Sequence, residues 1–132
     1  MEAADAAKRW GETWQRAWAA RDLEAVGALY HPAVIYASQP FRDPFRGIAE
    51  LRAYLARTFG EEDEIESWFA DPIVDGDHAS IEWWATLIED GVEISLVGTS
   101  TLRFDAAGLV VEQRDTWNQS DGRVQPFEGW GR

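Results

Sequence analysis

Asp115 is the residue of this chain with the clearest capacity for acid–base chemistry. It lies in the segment VVEQRDTWN, where strand alternation places it on one face with Gln113 and Trp117. A carboxylate among apolar side chains is costly unless it finds hydrogen bonds or water. In a partly dry pocket its pKa would rise, and it could then move a proton at a substrate carbon or hydroxyl. The alternative is an ion pair with Arg42 or Arg46, which would make Asp115 a structural anchor.

Three tryptophans at helical spacing, Trp10, Trp14 and Trp18, form an apolar stripe near the start of the chain. Such a stripe is more often core than ligand site. The indole N–H of Trp14 is still a donor that could serve a ligand oxygen, and the hydroxyl of Tyr36 could do the same or reach water. Trp14 and Tyr36 are therefore candidates for substrate binding.

The segment FRDPFRG contains Phe41, Arg42 and Phe45. As a functional loop it would cover a pocket, with Arg42 recognising an acidic group and the two phenylalanines excluding water. As a structural connector, its Asp43 would pair with an arginine and Gly47 would start the next helix. The sequence favours the connector and leaves the lid open as the functional alternative.

Trp83 and Trp84 fall on opposite faces of the strand pattern SIEWWAT. Trp83 shares its face with apolar residues and is a candidate for substrate contact. Trp84 faces outward, on the same side of the sheet as Thr99 and Thr101. This outer face predicts a homodimer formed sheet to sheet, and the alternative is an ordinary surface tryptophan.

Acidic residues outnumber basic ones by 24 to 12, which gives a net charge of −12 and a sequence pI near 4.4. A phosphate backbone or an anionic membrane surface would be repelled, so neither nucleic acid nor membrane is an expected partner. The acidic run over residues 61–66 predicts a solvated face. There is no long apolar run and no signal-peptide pattern, so we expect a cytoplasmic protein.

No residue pattern indicates a bound metal or cofactor. The chain has no cysteine, which excludes a thiolate nucleophile and a zinc–thiolate site. The two imidazoles, His31 and His78, lie beside turns, and no pair of ligands has metal spacing. A glycine-rich phosphate cradle is also missing. We therefore expect neither a metal nor a cofactor.

Hydrophobic periodicity predicts three helices and several strands around these residues. One helix spans residues 3–20, a short second helix follows Asp22 and stops before Pro32, and a third begins at Ile48 and ends at Gly60 in a left-handed conformation. The predicted strands are residues 33–38, 64–74, 78–89, 92–104 and 109–119.

Early helices followed by an antiparallel meander indicate an α+β domain with the helices on one face of a curved sheet. A length of 132 residues fits a single domain that spans residues 1–132. In the C-terminal segment, Phe127 and Trp130 are expected to dock on the body of the domain.

The segments AARDLEAVGALYHPAVIY, PFRGIAELRAYLAR and VVEQRDTWN, in this order, resemble the SnoaL-like domains of the nuclear-transport-factor-2-like superfamily, which also contains ketosteroid isomerase. The resemblance covers nearly the whole chain. It implies a cone-shaped sheet, mixed or antiparallel, that is packed with three helices around a pocket. It also implies that six side chains point into this pocket: Trp14, Tyr36, Ser38, Ser100, Asp115 and Trp117.

The same resemblance implies that the chemistry of ketosteroid isomerase is absent. Trp14, Ser38 and Ser100 stand where that enzyme has its tyrosine, its general base and its oxyanion-hole aspartate. The arginine and paired aspartates of limonene epoxide hydrolase are not matched either. In the SnoaL-like cyclases an acid on the last strand acts as acid/base, and Asp115 resembles that residue.

These observations predict a cofactor-independent enzyme of cyclase, isomerase, dehydratase or hydrolase type, with Asp115 as acid/base and an apolar cyclic or aromatic substrate. Gln113 would orient the substrate or bond to the third helix. The alternative is a non-catalytic module of the same fold that binds a ligand or dimerises. An open cavity with an unpaired Asp115 favours the enzyme, and a filled cavity or an Asp115–arginine pair favours the module.

Overall fold

The computed structural model describes residues 1–132. Its helices are α1 (Ala3–Ala20), α2 (Leu23–Gly27) and α3 (Ile48–Glu61). Its strands are β1 (Tyr30–Ala37), β2 (Phe45–Arg46), β3 (Glu62–Phe69), β4 (Ile73–Asp75), β5 (His78–Glu89), β6 (Val92–Phe104) and β7 (Val110–Asp121). The predicted α+β class is confirmed. None of the three helices has both the length and the apolarity needed to cross a bilayer.

The seven strands form one open sheet in the order β2-β1-β7-β6-β5-β3, and β4 pairs with the first residues of β5. Strands β5, β6 and β7 are the predicted antiparallel meander. Only β1 and β7 pair in parallel. This places β7, the strand of Asp115, between β6 and β1, so its inward side chains have neighbours on both sides.

The β5–β6 hairpin closes through Asp90 and Gly91, whose φ angles are 48° and 82°. Positive φ at both central residues is what a tight hairpin turn of matching twist requires. The resulting register places Ser100 opposite Ile81 on β5, and the next pairing places it opposite Asp115 on β7. The turn chemistry therefore fixes which side chains meet around Asp115.

Helix α3 continues one residue past its predicted end. Gly60 lies inside the helix and is not among the glycines with positive φ. The chain passes directly into β3 at Glu62, whose backbone is extended with φ −110° and ψ 140°. Because the chain does not reverse here, no left-handed residue is needed, and the prediction for Gly60 is wrong.

The C-terminal segment lies on the outer face of the sheet, against Trp84. The Trp84 indole donates to the carbonyl of Val124 at 2.6 Å, and the ring of Trp130 packs edge-on against it at 5.9 Å. Phe127 remains 70 % exposed. Of the two aromatic residues expected to dock, Trp130 does and Phe127 does not.

Candidate functional site

A cavity of about 310 Å³ lies between α1, α3 and the inner face of the sheet. Nine of the predicted site residues contribute to its wall: Trp14, Tyr36, Ser38, Arg42, Trp83, Ser100, Gln113, Asp115 and Trp117. The remaining wall is largely aromatic and includes Trp10, Trp18, Tyr54, Phe59 and Phe69. The residues predicted from strand alternation and from the resemblance therefore come together around one space.

Two predicted site residues lie elsewhere. Phe41 is fully exposed and borders a separate shallow depression. Phe45 belongs to β2, where its pairing with Tyr36 turns its ring against Tyr54, stacked at a centroid distance of 4.5 Å. Because this strand pairing holds the segment at the sheet edge, the two phenylalanines do not cover the cavity, and the lid interpretation is wrong for them.

Asp115 is buried, with 8 % of its surface exposed, and its hydrogen bonds come from neutral donors. The Ser100 hydroxyl donates to Oδ1 at 2.6 Å, and the Gln113 amide donates to the same oxygen at 2.9 Å. None of the ion pairs in the structure includes Asp115. The ion pair with Arg42 or Arg46 is therefore not formed.

The donors that reach Asp115 are oriented by a chain of bonds from helix α1. The indoles of Trp10 and Trp14 both donate to the Tyr30 hydroxyl oxygen, at 3.2 and 3.0 Å. With its oxygen accepting twice, Tyr30 donates its own hydrogen to Gln113 Oε1 at 2.6 Å. The other end of the Gln113 amide, its NH₂, must then face Asp115. The indole N–H of Trp14 is thus committed to Tyr30 and not free for a ligand.

A second chain of bonds reaches Asp115 from β5. The Trp83 indole donates to Ser100 Oγ at 3.0 Å, and the Ser100 hydroxyl in turn donates to Asp115 Oδ1. Both chains end on Oδ1 as an acceptor. With two donors on Oδ1, Oδ2 is the oxygen better placed to carry an exchangeable proton.

Burial raises the pKa of Asp115 to about 6, although hydrogen bonds from Ser100, Gln113 and Tyr36 act in the opposite direction. The pKa of Tyr36 is raised well above its ordinary value by burial and by the nearby Asp115 carboxylate. Tyr36 therefore stays protonated and acts as a donor. The site can hold or release one proton near neutral pH, beside a hydroxyl that does not ionise.

Gly98 lies between two tryptophans of the cavity wall, since the register pairs it with Trp83 on one side and Trp117 on the other. A Cβ atom at this position would lie 2.5 Å from the Thr116 carbonyl oxygen and 2.8 Å from Trp83 Cζ2. Only glycine fits without displacing backbone. The Trp117 indole in turn donates to the Ser38 carbonyl at 2.8 Å, which fixes the wall on that side.

Glu62 is a second buried carboxyl group in the cavity wall, with 4 % of its surface exposed. The Trp18 indole donates to its Oε1 at 2.8 Å. Burial raises the pKa of Glu62 to about 7, and the neighbouring Glu89 and Glu61 act in the same direction. The expectation that the whole acidic run is solvated is therefore wrong at Glu62.

Sequence reasoning missed Tyr30, Glu62 and Tyr54 as residues of the site. Tyr30 opens β1 and shares the parity of Tyr36, so a strand started three residues earlier would have placed both inside. Glu62 precedes a register shift in β3, which no alternation pattern reveals. Tyr54 lies one turn before Thr58 on α3, and its spacing from Leu51 and Leu55 marks it as facing the sheet.

No group of three or more His, Cys, Asp or Glu side chains is arranged to hold a metal ion. His31 accepts a bond from the Ala33 amide, and His78 contacts Asp77 at 2.7 Å. Both imidazoles lie outside the cavity wall. The ionisable groups of the cavity wall are therefore carboxyl, phenol and guanidinium groups.

Comparison with known proteins gives one family match. A family model described as a SnoaL-like domain matches residues 12–113. No curated protein matches the chain. The match covers the second half of α1, all of α2 and α3, β1 to β6 and the start of β7 through Gln113.

Three solved structures have similar folds. RV0760c from Mycobacterium tuberculosis has a TM-score of 0.77 at 18% identity and covers 89% of this chain and 96% of its own. A computationally designed 17-OHP binder has a TM-score of 0.76 at 19% identity, and the match covers 92% of this chain and 100% of the binder. The third is SalBIII, described as an epoxide hydrolase/cyclase-like enzyme in pyran ring formation in polyether salinomycin. It has a TM-score of 0.76 at 14% identity, and the match covers 89% of this chain and 98% of SalBIII.

At these identities the solved structures establish the fold alone, and they confirm the one implied by the sequence resemblance. The family model spans most of the chain, from α1 to the start of the strand that carries Asp115. The chain belongs to the SnoaL-like domain family.

Proposed function

We propose that the cavity binds an apolar cyclic or aromatic small molecule and that Asp115 acts on it as a cofactor-independent acid/base. One observation carries this proposal: Asp115 is buried, forms no ion pair, and accepts hydrogen bonds on Oδ1 from the neutral donors Ser100 and Gln113. A carboxyl group that only anchored the fold would be expected to pair with a cation. Here Oδ2 is the oxygen from which a proton can be exchanged.

Asp115 can act in two directions because its pKa is about 6. Its ionised form accepts a proton from a substrate carbon or hydroxyl, and its protonated form donates one to a developing alkoxide. Ser100 and Gln113 support the charged form by donating to Oδ1, and Tyr36 offers a neutral hydroxyl beside the carboxyl group. This set of groups suits cyclase, isomerase, dehydratase or hydrolase chemistry.

The likeness to SalBIII makes epoxides a substrate class to test. In an epoxide opening, Oδ2–H would give its proton to the epoxide oxygen while the carbon–oxygen bond breaks. Water or a substrate hydroxyl would attack that carbon and lose a proton to solvent, from which the Asp115 carboxylate regains one, giving a diol or a cyclic ether. The aromatic wall, with Trp83 and Trp117 beside Asp115, would hold the apolar part of such a molecule.

The competing function is a binding module without catalysis. The designed 17-OHP binder has a similar fold, so an aromatic cavity of this shape is compatible with binding alone. The two functions differ in what the Asp115 proton does after a ligand has bound.

The test is a thermal-shift screen with polyketide-like, terpenoid and epoxide-bearing compounds, because a binder stabilises the folded state. Compounds that bind are then incubated with the protein and with Asp115→Asn, and products are followed by mass spectrometry. Turnover that falls by about 10²-fold or more in Asp115→Asn, with binding retained, supports the enzyme. Binding without turnover, or full activity of the variant, leaves the binding module.

We also propose that the protein forms a homodimer through the outer face of the sheet. Phe41 is fully exposed next to a shallow depression whose wall includes Val97 and Thr99. An exposed aromatic side chain beside a partly apolar sheet face is a feature of association surfaces. The docked C-terminal segment at Trp84 occupies a different part of this face.

A further inference from the structure

Glu62 gives the cavity a second polar end that the proposed acid/base role does not use. Only its Oε1 is engaged, by the Trp18 indole, and no hydrogen bond of the structure reaches Oε2. The side chain is nevertheless 4 % exposed and lines the cavity. Oε2 is not one of the fully buried atoms that lack a partner, so it is open to the cavity, where a donor group of a ligand can reach it.

The two carboxyl groups lie at separate ends of the cavity. The indole rings of Trp18 and Trp83 lie between them, with ring centroids 5.9 Å apart. The Trp18 indole donates to Glu62, and the Trp83 indole donates to Ser100. The pKa of Tyr54 is raised chiefly by burial and further by both Asp115 and Glu62. The Tyr54 hydroxyl is therefore close enough to both carboxyl groups for each to affect its pKa. All three residues line the same cavity, so one ligand could span its two ends.

The Glu62 end is rich in negative charge. Glu89 is the strand partner of Glu62, and Glu61 precedes it on α3; all three line the cavity, and none forms an ion pair. The two arginines of the wall, Arg42 and Arg57, are exposed, and Arg57 is placed over the Tyr54 ring. An anionic ligand group would therefore be repelled from this end.

Aromatic rings surround the same end without free indole donors. Trp14 packs edge-on against Trp18 at 5.9 Å and against Phe59 at 6.1 Å. The N–H groups of Trp14 and Trp18 are already donated to Tyr30 and Glu62. What remains for a ligand is aromatic carbon and carboxylate oxygen, which is the environment that a cation with apolar substituents prefers.

We propose that Glu62 binds the ammonium group of an amine ligand, which narrows the substrate class to apolar cyclic or aromatic amines. The ammonium N–H donates to Glu62 Oε2, and the carbon atoms next to the nitrogen pack on Trp14, Trp18 and Phe59. The apolar body then extends toward Asp115. The inference rests on the proposed small-molecule cavity and adds a residue that selects the ligand.

The test compares three probes with one apolar body and different head groups: 4-phenylbutylamine, 4-phenylbutan-1-ol and 4-phenylbutanoate. Isothermal titration calorimetry at about pH 8 measures their affinities, since Glu62 is then largely ionised and an alkylamine is still protonated. The amine is expected to bind at least about tenfold more tightly than the alcohol, the scale of a hydrogen bond between charged groups. The carboxylate is expected to bind most weakly. Equal affinities, or no binding by any probe, overturn the inference.

Glu62→Gln identifies the residue responsible. Glutamine keeps the shape and the acceptor for Trp18 but carries no charge, so it should remove the preference for the amine while alcohol binding stays within about twofold. Asp115→Asn is the matched control, since it neutralises the other cavity carboxyl group and should keep the preference. An amine preference that survives in Glu62→Gln overturns the inference.

If Glu62→Gln does not fold, the pH dependence of binding to Asp115→Asn decides. The charged groups facing Glu62 are Glu61 on α3, Glu89 on β5, and Arg21 after α1, which pairs with Asp63. Burial raises the pKa of Glu62 to about 7. The amine preference should therefore weaken as pH falls below about 7, and a preference that does not change with pH overturns the inference.

Failure of this inference differs from failure of the proposed function. Loss of amine selectivity in Glu62→Gln, with unchanged turnover in Asp115→Asn, keeps the amine site and removes the acid/base role. If instead Glu62→Gln keeps its amine selectivity and Asp115→Asn loses turnover, the acid/base role is supported and the amine site is removed.

Discussion

The Ser100 hydroxyl lies 2.6 Å from Asp115 Oδ1 and donates to it when Asp115 is ionised, because a carboxylate has no hydrogen of its own. In the ionised form Oδ1 accepts from both Ser100 and Gln113. This hydrogen bond favours the ionised form of Asp115, because a donor binds a carboxylate more strongly than a neutral carboxyl group. Ser100 thereby helps to set the pH at which Asp115 changes its protonation state.

Replacing Ser100 by alanine should raise the pKa of Asp115 above its value of about 6. A lost hydrogen bond to a charged group corresponds to about one pH unit. The measurement is a titration of the Asp115 carboxyl carbon by NMR, which requires no substrate. Ser95→Ala is the control, because Ser95 lies on the same strand but donates to the Gly122 carbonyl. A pKa that stays constant or falls in Ser100→Ala would contradict the assigned donor direction.

Gly98→Ala should destabilise the protein and disturb the cavity wall. The added Cβ would lie 2.5 Å from the Thr116 carbonyl oxygen and 2.7 Å from Trp117 Cβ, so backbone must move, at a cost of about 1–3 kcal/mol. Urea unfolding measures the loss, and near-ultraviolet circular dichroism reports the tryptophans. Gly60→Ala is the matched control, because it lies in α3 with open space around it and should gain about 1 kcal/mol. Equal effects at the two glycines would refute the close approach.

Stability should fall as pH rises through the pKa values of the two buried carboxyl groups. Folding raises the pKa of Asp115 from 3.8 to about 6 and that of Glu62 from 4.5 to about 7. The folded state then binds protons more tightly than the unfolded state, so this contribution is complete below the unfolded pKa values and lost above the folded ones. Its size is on the order of 3 kcal/mol for each group.

Asp115→Asn isolates that effect, because asparagine does not titrate. Relative to the parent, the variant should become more stable by roughly 3 kcal/mol between about pH 3.5 and about pH 8. Urea unfolding of both proteins across this range gives the difference. A difference that is constant with pH would mean that Asp115 has the same pKa in the folded and unfolded states.

The proposed dimer predicts that Phe41→Glu gives a monomer with unchanged helix content, because Phe41 is exposed beside the depression at Val97 and Thr99. A charge introduced on the outer sheet face would have to be desolvated in a sheet-to-sheet interface. Light scattering at micromolar concentration and far-ultraviolet circular dichroism make the comparison. Trp130→Ala is the control, because Trp130 packs on Trp84 in a different part of the outer face and its loss should leave the dimer intact. A monomeric parent protein would remove the proposal.

Part of the site could be predicted because strand alternation is a local rule. Gln113 and Asp115 are both buried, and Arg114 between them is exposed, as a period of two requires. The prediction needed only that β7 be a strand with one buried face. The fold class followed in the same way from helix stripes and hairpin turns.

Glu62 and Tyr30 could not be placed by the same rule. The strand of Glu62 changes register within two residues, at Glu64, whose φ is 49°, so burial in the first part of β3 cannot be extrapolated from the second. The role of Tyr30 depends on a hydrogen bond to Gln113, which is 83 residues away in the sequence. A pattern of neighbouring residues cannot predict such a long-range contact. The resemblance brought the right strands together but assigned no residue to either position.

The parallel pairing of β1 with β7 has a consequence for the order of folding. Strands β5 to β7 can form through local hairpins, but β1 joins them only after a loop of about 80 residues has closed, and such a step is slow because its entropy cost comes before its contacts. The bond from Tyr30 to Gln113 crosses this junction. Folding intermediates that contain the meander alone would therefore hold Asp115 in water, with an ordinary acidity. The raised pKa of Asp115 would appear only when β1 has joined β7. A titration of this carboxyl group would therefore also report whether that last step of folding has taken place.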